Sequence, residues 1–113
     1  MEVRRGDVVL MVVAGELGRP RLGIVVQADE LGSDTTTVLA CPLSSDIGSV
    51  AHPLLRPLIE AQPVNGLRVR SQIMTDKVLA QRRSRIRQVI GTIDPETRDR
   101  LDAALLLVFG LTR

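Results

Sequence analysis

Tryptophan and tyrosine are absent from the 113 residues, and Phe109 is the single aromatic. The core must therefore be built from Val, Leu, Ile and Ala, and this scarcity argues against recognition that stacks bases or proline-rich peptides on aromatic side chains. Cys41 is the one cysteine, which excludes an internal disulfide and a Cys-based zinc site. It lies in the apolar run Val38-Leu39-Ala40-Cys41, where it reads as a buried small hydrophobe. His52 is the one histidine, and Pro53 follows it. A Ser–His–Asp arrangement would have to run through it, yet no nucleophile-elbow motif is present, so a structural or surface histidine is expected. No apolar run reaches membrane-spanning length, and no small-residue cleavage site follows the N-terminal stretch. A cytoplasmic protein without a membrane anchor is the expectation. Paired carboxylates, a phosphate loop, a dinucleotide fingerprint and a metal-ligand cluster are all missing, so neither cofactor nor metal is anticipated.

Lysine is nearly missing too. Lys77 stands alone against fourteen arginines, within a formal net charge of +2. Nine basic residues fall between Arg68 and Arg100, where only Asp76, Asp94, Glu96 and Asp99 oppose them. Arginine presents a flat fork of donors suited to phosphate, so this excess fits a polyanionic partner; a solvated basic face is the other reading.

The length allows one domain, 1–113. Residues 8–13 are apolar throughout and mostly β-branched, which predicts a strand buried on both faces. Turn residues at 15–20 break it. Strands are predicted at 22–28 and 35–43, the latter closed by Pro42 and Ser44-Ser45, with a polar loop at 29–34 between them. Pro53, Pro57 and Pro63 confine any strand at 54–59 to a short or edge position. Asn65-Gly66 signals a tight turn before a strand at 67–74. The basic stretch 81–87 suggests a helical turn, and 88–93 a last strand. Asp94 as cap, Pro95 in the first turn, Glu96 near the positive end and Gly110 as stop delimit a C-terminal helix. Leu101, Ala104, Leu105 and Val108 recur at helical spacing, and Leu106, Leu107 and Phe109 widen the stripe beyond what one sheet needs. A compact antiparallel barrel or curled sheet with one packed helix follows, with surplus apolar surface for a partner subunit.

With so few catalytic groups, the remaining chemistry is what arginine and hydroxyls support. A phosphodiester under attack gathers negative charge that positioned guanidinium and hydroxyl donors stabilise. RNA brings its own nucleophile, the adjacent 2′-OH.

The order of short motifs is more specific. Arg5-Gly6-Asp7 before the first strand, Arg21-Leu22-Gly23-Ile24-Val25-Val26, Pro42-Leu43-Ser44-Ser45, Asn65-Gly66-Leu67, Ser71-Gln72-Ile73-Met74 with Asp76-Lys77, and Ile90-Gly91 before the terminal helix together resemble the MazF/PemK toxin family from end to end. The resemblance implies an α+β, mainly β fold: an SH3-like barrel of the MazF/PemK/CcdB type with a C-terminal helix, assembled as a homodimer. It implies a metal-independent, sequence-specific endoribonuclease that cuts single-stranded RNA and is neutralised by a cognate antitoxin, an acidic, extended segment competing with RNA. Arg21 falls on the family's catalytic arginine, as proton donor or charge stabiliser, and Ser44 on its catalytic threonine. The RNA-binding candidates are Arg19, Ser45, Arg68, Arg70, Ser71, Gln72, Arg82 and Arg83. Plainer alternatives stand beside them: a solvated strand-end arginine for Arg21, turn chemistry for Ser44-Ser45, a ladder-end amide for Gln72, an exposed face for Arg82-Arg83-Ser84-Arg85. Leu22, Ser71 and Met74 depart from the family's usual Pro, Asp and Arg. With Met74 uncharged, Arg68 or Arg70 is the expected substitute for phosphate binding. Two other readings compete: a non-enzymatic CcdB-like gyrase poison, whose toxicity would survive loss of Arg21, and an inactive SH3-like binding module, whose expression would not arrest growth.

Overall fold

The computed structural model describes residues 2–13, 15, 19–48 and 54–112; His52 lies outside the described residues, as do Glu16, Leu17 and Gly18 of the first turn. Among the described residues seven strands precede one α-helix: β1 (Asp7–Val12), β2 (Pro20–Val25), β3 (Thr37–Ser44), β4 (Leu58–Ile59), β5 (Ser71–Ile73), β6 (Leu79–Arg82), β7 (Ile86–Thr92) and α1 (Pro95–Val108). Every pairing is antiparallel, in the order β4-β5-β3-β2-β1-β7, with β6 also on β3. Such a mainly β sheet with one terminal helix is the architecture anticipated, and it curls into a half-barrel.

Strand β3 organises it. Its residues from Thr37 to Ala40 pair with β6, while Leu43 and Ser44 pair with β5, so two strands share one edge in succession. Pro42 sits at the changeover, where its missing N–H interrupts neither ladder. The strand therefore runs through Pro42 to Ser44 rather than closing at it, and the Pro42 carbonyl accepts from Met74 N at 2.9 Å.

Side chains alternate between two packed faces. On one, Val8, Ile24, Cys41, Leu43 and Ile73 meet Ile59, Leu67, Ile93 and the helix residues Leu101 and Leu105. On the other, inside the curl, lie Val9, Met11, Val25, Val38, Ala40 and Ile86. Val8 and Val9 are both fully buried, as a strand covered on two sides requires. Gly23 makes room inside: a Cβ there would stand 2.6 Å from Met11 Cε. Across the curl, Gln81 Nε2 donates to Val12 O at 3.1 Å and ties β6 to the end of β1.

Three expectations change. The strand expected at 67–74 shrinks to Ser71–Ile73, because the buried Asn65 side chain claims the preceding backbone. Its Oδ1 accepts from Gln62 N (3.1 Å) and Leu67 N (2.9 Å), and its Nδ2 donates to Glu60 O (2.9 Å). Strand β6 had no place in the sequence reading, since its inward residues are Leu79 and a polar Gln81. The basic helical turn reduces to a 3-10 turn, Arg83–Arg85.

The helix begins as expected. Asp94 Oδ1 accepts from Thr97 N at 2.7 Å, and hydrogen bonds from the Thr97 side chain and then its backbone hold the Asp94 carboxyl below its usual range. Leu101, Ala104 and Leu105 are buried against the sheet, worth roughly 1.5–3 kcal/mol for a side chain the size of Leu101. Leu106, Leu107 and Phe109 stay exposed, Phe109 at 59%.

Candidate functional site

The β2–β3 ladder pairs Val25 with Ala40, Ile24 with Cys41 and Gly23 with Pro42. Continued by two residues, this register sets Arg21 opposite Ser44. Directly opposed residues of an antiparallel pair project from the same face. Ser44 in turn pairs with Gln72 of β5. Arg21, Ser44 and Gln72 thus form a row across three strands, on the face that lines the inside of the curl. Beside it opens a cleft of about 350 Å³ lined by Val13, Arg21, Pro42, Met74, Lys77 and Leu79.

Ser44 is half-buried, and its Oγ accepts from Asp46 N at 3.1 Å. That turn bond uses an acceptor site and leaves the hydroxyl proton to be donated. Gln72 is fully buried, and its Nε2 donates to Asp46 O at 2.9 Å. Both backbone polar groups of Asp46 are therefore held, which fixes the turn carrying Ser44. Gln72 Oε1 is buried and has no hydrogen-bond partner among the described residues. The two readings of Gln72 thus share one side chain: its nitrogen is structural, and its oxygen is unspent.

The other candidates scatter. Arg19 and Ser45 are exposed and flank the row, Arg19 two residues before Arg21 and Ser45 next to Ser44. Arg68 is exposed, and Arg70 pairs with Glu60 at 2.7 Å; neither lines the cleft. Ser71 alternates to the helix side of β5, where it is buried and donates to Val69 O at 3.2 Å. Arg82 pairs with Thr37 and faces outward. Arg83 turns its guanidinium onto the carbonyls of Thr35 and Gly32 and the Thr35 hydroxyl, clamping that loop. The basic run at 82–85 is thus divided between an outward face and a structural clamp.

Lys77 is the residue the sequence reading did not single out. It follows Met74 in a 3-10 turn, Thr75–Lys77, with Lys77 N donating to Met74 O at 3.0 Å. The turn is anchored twice more. Thr75 Oγ1 donates to Leu55 O, and Arg56 forks onto the Asp76 carboxylate through Nε and Nη2, both at 3.0 Å. The hydrogen bond from Arg56 holds the Asp76 carboxyl below its usual range, helped by the Arg56 and Lys77 charges. Only the fold reveals that Lys77 shares a cleft with Arg21, since 56 positions separate them in the chain.

Cys41 takes no part. Burial pushes its thiol up to about 12, far from the thiolate a nucleophile needs. Among the described residues no three His, Cys, Asp or Glu side chains gather as a metal site, and no helix is long and apolar enough to cross a membrane.

A family model described as PemK-like, MazF-like toxin of type II toxin-antitoxin system matches residues 4–109. Among solved structures, the chain is similar to an endoribonuclease in complex with its cognate antitoxin from a mycobacterial species, at 18% identity and a TM-score of 0.79, covering 99% of each chain. It is similar to the Mycobacterium tuberculosis toxin MazF-mt6 at 16% identity and a TM-score of 0.79, covering 95% of this chain and 99% of that one. A Deinococcus radiodurans MazE-MazF structure matches at 18% identity and a TM-score of 0.77, covering 99% of each chain.

Proposed function

The chain belongs to the PemK-like, MazF-like toxins of type II toxin-antitoxin systems, and on that premise we propose that it is a metal-independent, sequence-specific endoribonuclease acting on single-stranded RNA, messenger RNA foremost. What supports this reading is that the β2–β3 ladder ends at Gly23 and Pro42, two residues short of both Arg21 and Ser44 on the same side of their strands, and that Arg21 lines the cleft beside it.

In the proposed reaction the 2′-hydroxyl gives up its proton to a solvent water, its oxygen attacks the adjacent phosphorus, and the P–O5′ bond breaks, the leaving 5′-oxygen taking up a proton in turn. The products are a 2′,3′-cyclic phosphate and a 5′-hydroxyl. Arg21 stabilises the charge gathering on the non-bridging oxygens, or serves as the proton donor to the leaving 5′-oxygen. Ser44 donates its hydroxyl proton to the scissile phosphate. Arg19 and Ser45, exposed on either side, are proposed to touch the flanking nucleotides.

A cognate antitoxin and a second copy of the chain are the proposed protein partners, and the compartment is proposed to be the cytoplasm. Leu106, Leu107 and Phe109 supply apolar surface for such contacts, next to an apolar groove that includes Leu54, Pro57 and Ala103.

The test is to map cleavage ends on a long RNA in the presence of chelator, with wild type, Arg21→Ala and Ser44→Ala. Wild type is expected to cut RNA and spare DNA of the same sequence, and Arg21→Ala to lose roughly 10²–10³-fold in kcat, as for removal of a charge-stabilising donor. Activity abolished by chelator, or equal cutting of DNA, would refute the reading. Toxicity that survives Arg21→Ala would favour the gyrase-poison alternative.

A further inference from the structure

The cleft beside Arg21 has an uncharged floor, formed by Pro42, Met74 and Leu79, and one further cation at its wall, Lys77. Met74 is buried, with 6% exposure, and brings no charge to a place where a polyanionic strand must lie. The arginines nearest in sequence are directed elsewhere. Arg70 is paired with Glu60 and, like Arg68, lies outside the cleft lining. Lys77 is the member of that stretch that the fold delivers to the cleft.

The delivery is built with some care. Lys77 ends a 3-10 turn fixed by the Thr75 hydroxyl on Leu55 O and by the two-pronged Arg56–Asp76 pair. A lysine whose backbone is anchored sacrifices less freedom on meeting an anion than one on a mobile loop. The same pair answers a second question. Asp76 is the neighbouring acid in the chain, and an unengaged Asp76 carboxylate would compete for the ammonium. Arg56 occupies both of its oxygens. Arg56 is thereby the main partner of Asp76 and the Lys77 charge a lesser one, which reduces the competition for the ammonium.

We propose that Lys77 is a substrate-binding residue of this site: its ammonium holds a backbone phosphate of the RNA strand next to the scissile one, and the Arg56–Asp76 pair is the device that positions it. The inference rests on the ribonuclease reading and names a contact that the Arg21–Ser44 row does not supply. Lys77 acts in binding, and the chemistry stays with Arg21 and Ser44.

The test uses the full chain and a single-stranded RNA of the mapped cleavage sequence carrying a 2′-O-methyl group at the cut position, so that binding is measured without turnover. Lys77→Gln is expected to raise Kd roughly tenfold, as for loss of one charge-assisted contact. The slope of log K against log salt should flatten by about 0.7, one phosphate on a single strand. On cleavable RNA, KM should rise while kcat at saturation stays within about twofold. Lys77→Arg keeps the charge and should restore both Kd and slope. An unchanged Kd and slope in Lys77→Gln would overturn the proposal. So would a loss confined to kcat, or an Arg70→Ala variant that loses affinity while Lys77→Gln keeps it. If wild type neither binds nor cuts RNA, the ribonuclease reading itself fails; if wild type cuts and Lys77→Gln matches it in every measure, only the role of Lys77 fails. Lys77 is exposed, so the variant is expected to melt with wild type, and coincident melting curves verify that binding alone has changed.

Discussion

Replacing Gln72 by methionine should separate stability from activity. A buried polar atom without a partner costs about 1–3 kcal/mol, and Gln72 Oε1 is such an atom among the described residues. Against this, the bond from Nε2 to Asp46 O returns about 1 kcal/mol. Methionine fills a similar volume, is flexible enough to settle into it, and buries no orphaned oxygen. Asp46 is an exposed residue, so water can replace the amide as a partner of its carbonyl. Gln72→Met is therefore expected to be neutral or to stabilise by up to about 2 kcal/mol. At about 4 °C per kcal/mol for a chain this long, that is up to roughly 8 °C in Tm. Cleavage should move the other way. The turn that carries Ser44 would lose one of its fixings, and a displacement near 1 Å at a reacting group costs on the order of 10²-fold in rate. With no tryptophan or tyrosine to report by fluorescence, far-UV circular dichroism during urea and thermal unfolding is the suitable stability assay, alongside kcat on the mapped RNA. A variant less stable than wild type by more than about 2 kcal/mol, or one that cuts RNA at the wild-type rate, would refute this account of Gln72.

Leu101→Ala empties a fully buried position between helix and sheet and should destabilise by about 2–5 kcal/mol, read from the urea midpoint. Cys41, its thiol raised to about 12 by burial, should resist a thiol-specific reagent at pH 8 in the native protein and react once urea unfolds it. The Asp76 carboxyl is lowered on folding, so its pair with Arg56 stabilises above the unfolded value near 3.9 and is lost as pH falls through the lower folded value. The stability gap between wild type and Asp76→Asn should accordingly be full at neutral pH and close as the pH drops below about 4, followed by urea titration across that range.

Much of the fold was legible because its signals are local. The run at 8–13 is apolar at consecutive positions, short and rich in Val, which suits a strand covered on both sides, and Asp94-Pro95 announces a helix start with its own hydrogen bond. What escaped depends on partners far along the chain. Gln81 is polar yet buried because Val12, 69 positions away, takes its amide, so β6 carries no clean hydrophobic alternation. Pro42 reads as a strand breaker until two different partner strands are seen to meet at it. In the proposed site, Arg21 and Ser44 were reachable from flanking motifs. Lys77 was not, for its chemistry is ordinary and only the anchored turn at Thr75–Lys77 gives it a destination. Ser71 illustrates the opposite error source: a one-residue step along β5 moves a side chain from the cleft side to the core.

The pairing of β1 with β7 also sets a timetable. Val8 meets Gly91, more than eighty positions later, and β7 is the strand that covers the outer edge of β1. A ribosome releasing roughly 5–20 residues per second thus leaves β1 waiting for seconds before its partner emerges. Topologies dominated by such distant pairings also fold in milliseconds to seconds rather than microseconds. A nascent chain bearing Arg21, Ser44 and Lys77 is consequently unfinished throughout most of its own synthesis, with the apolar inner face of β1 and β2 open to any chaperone or partner that reaches it first.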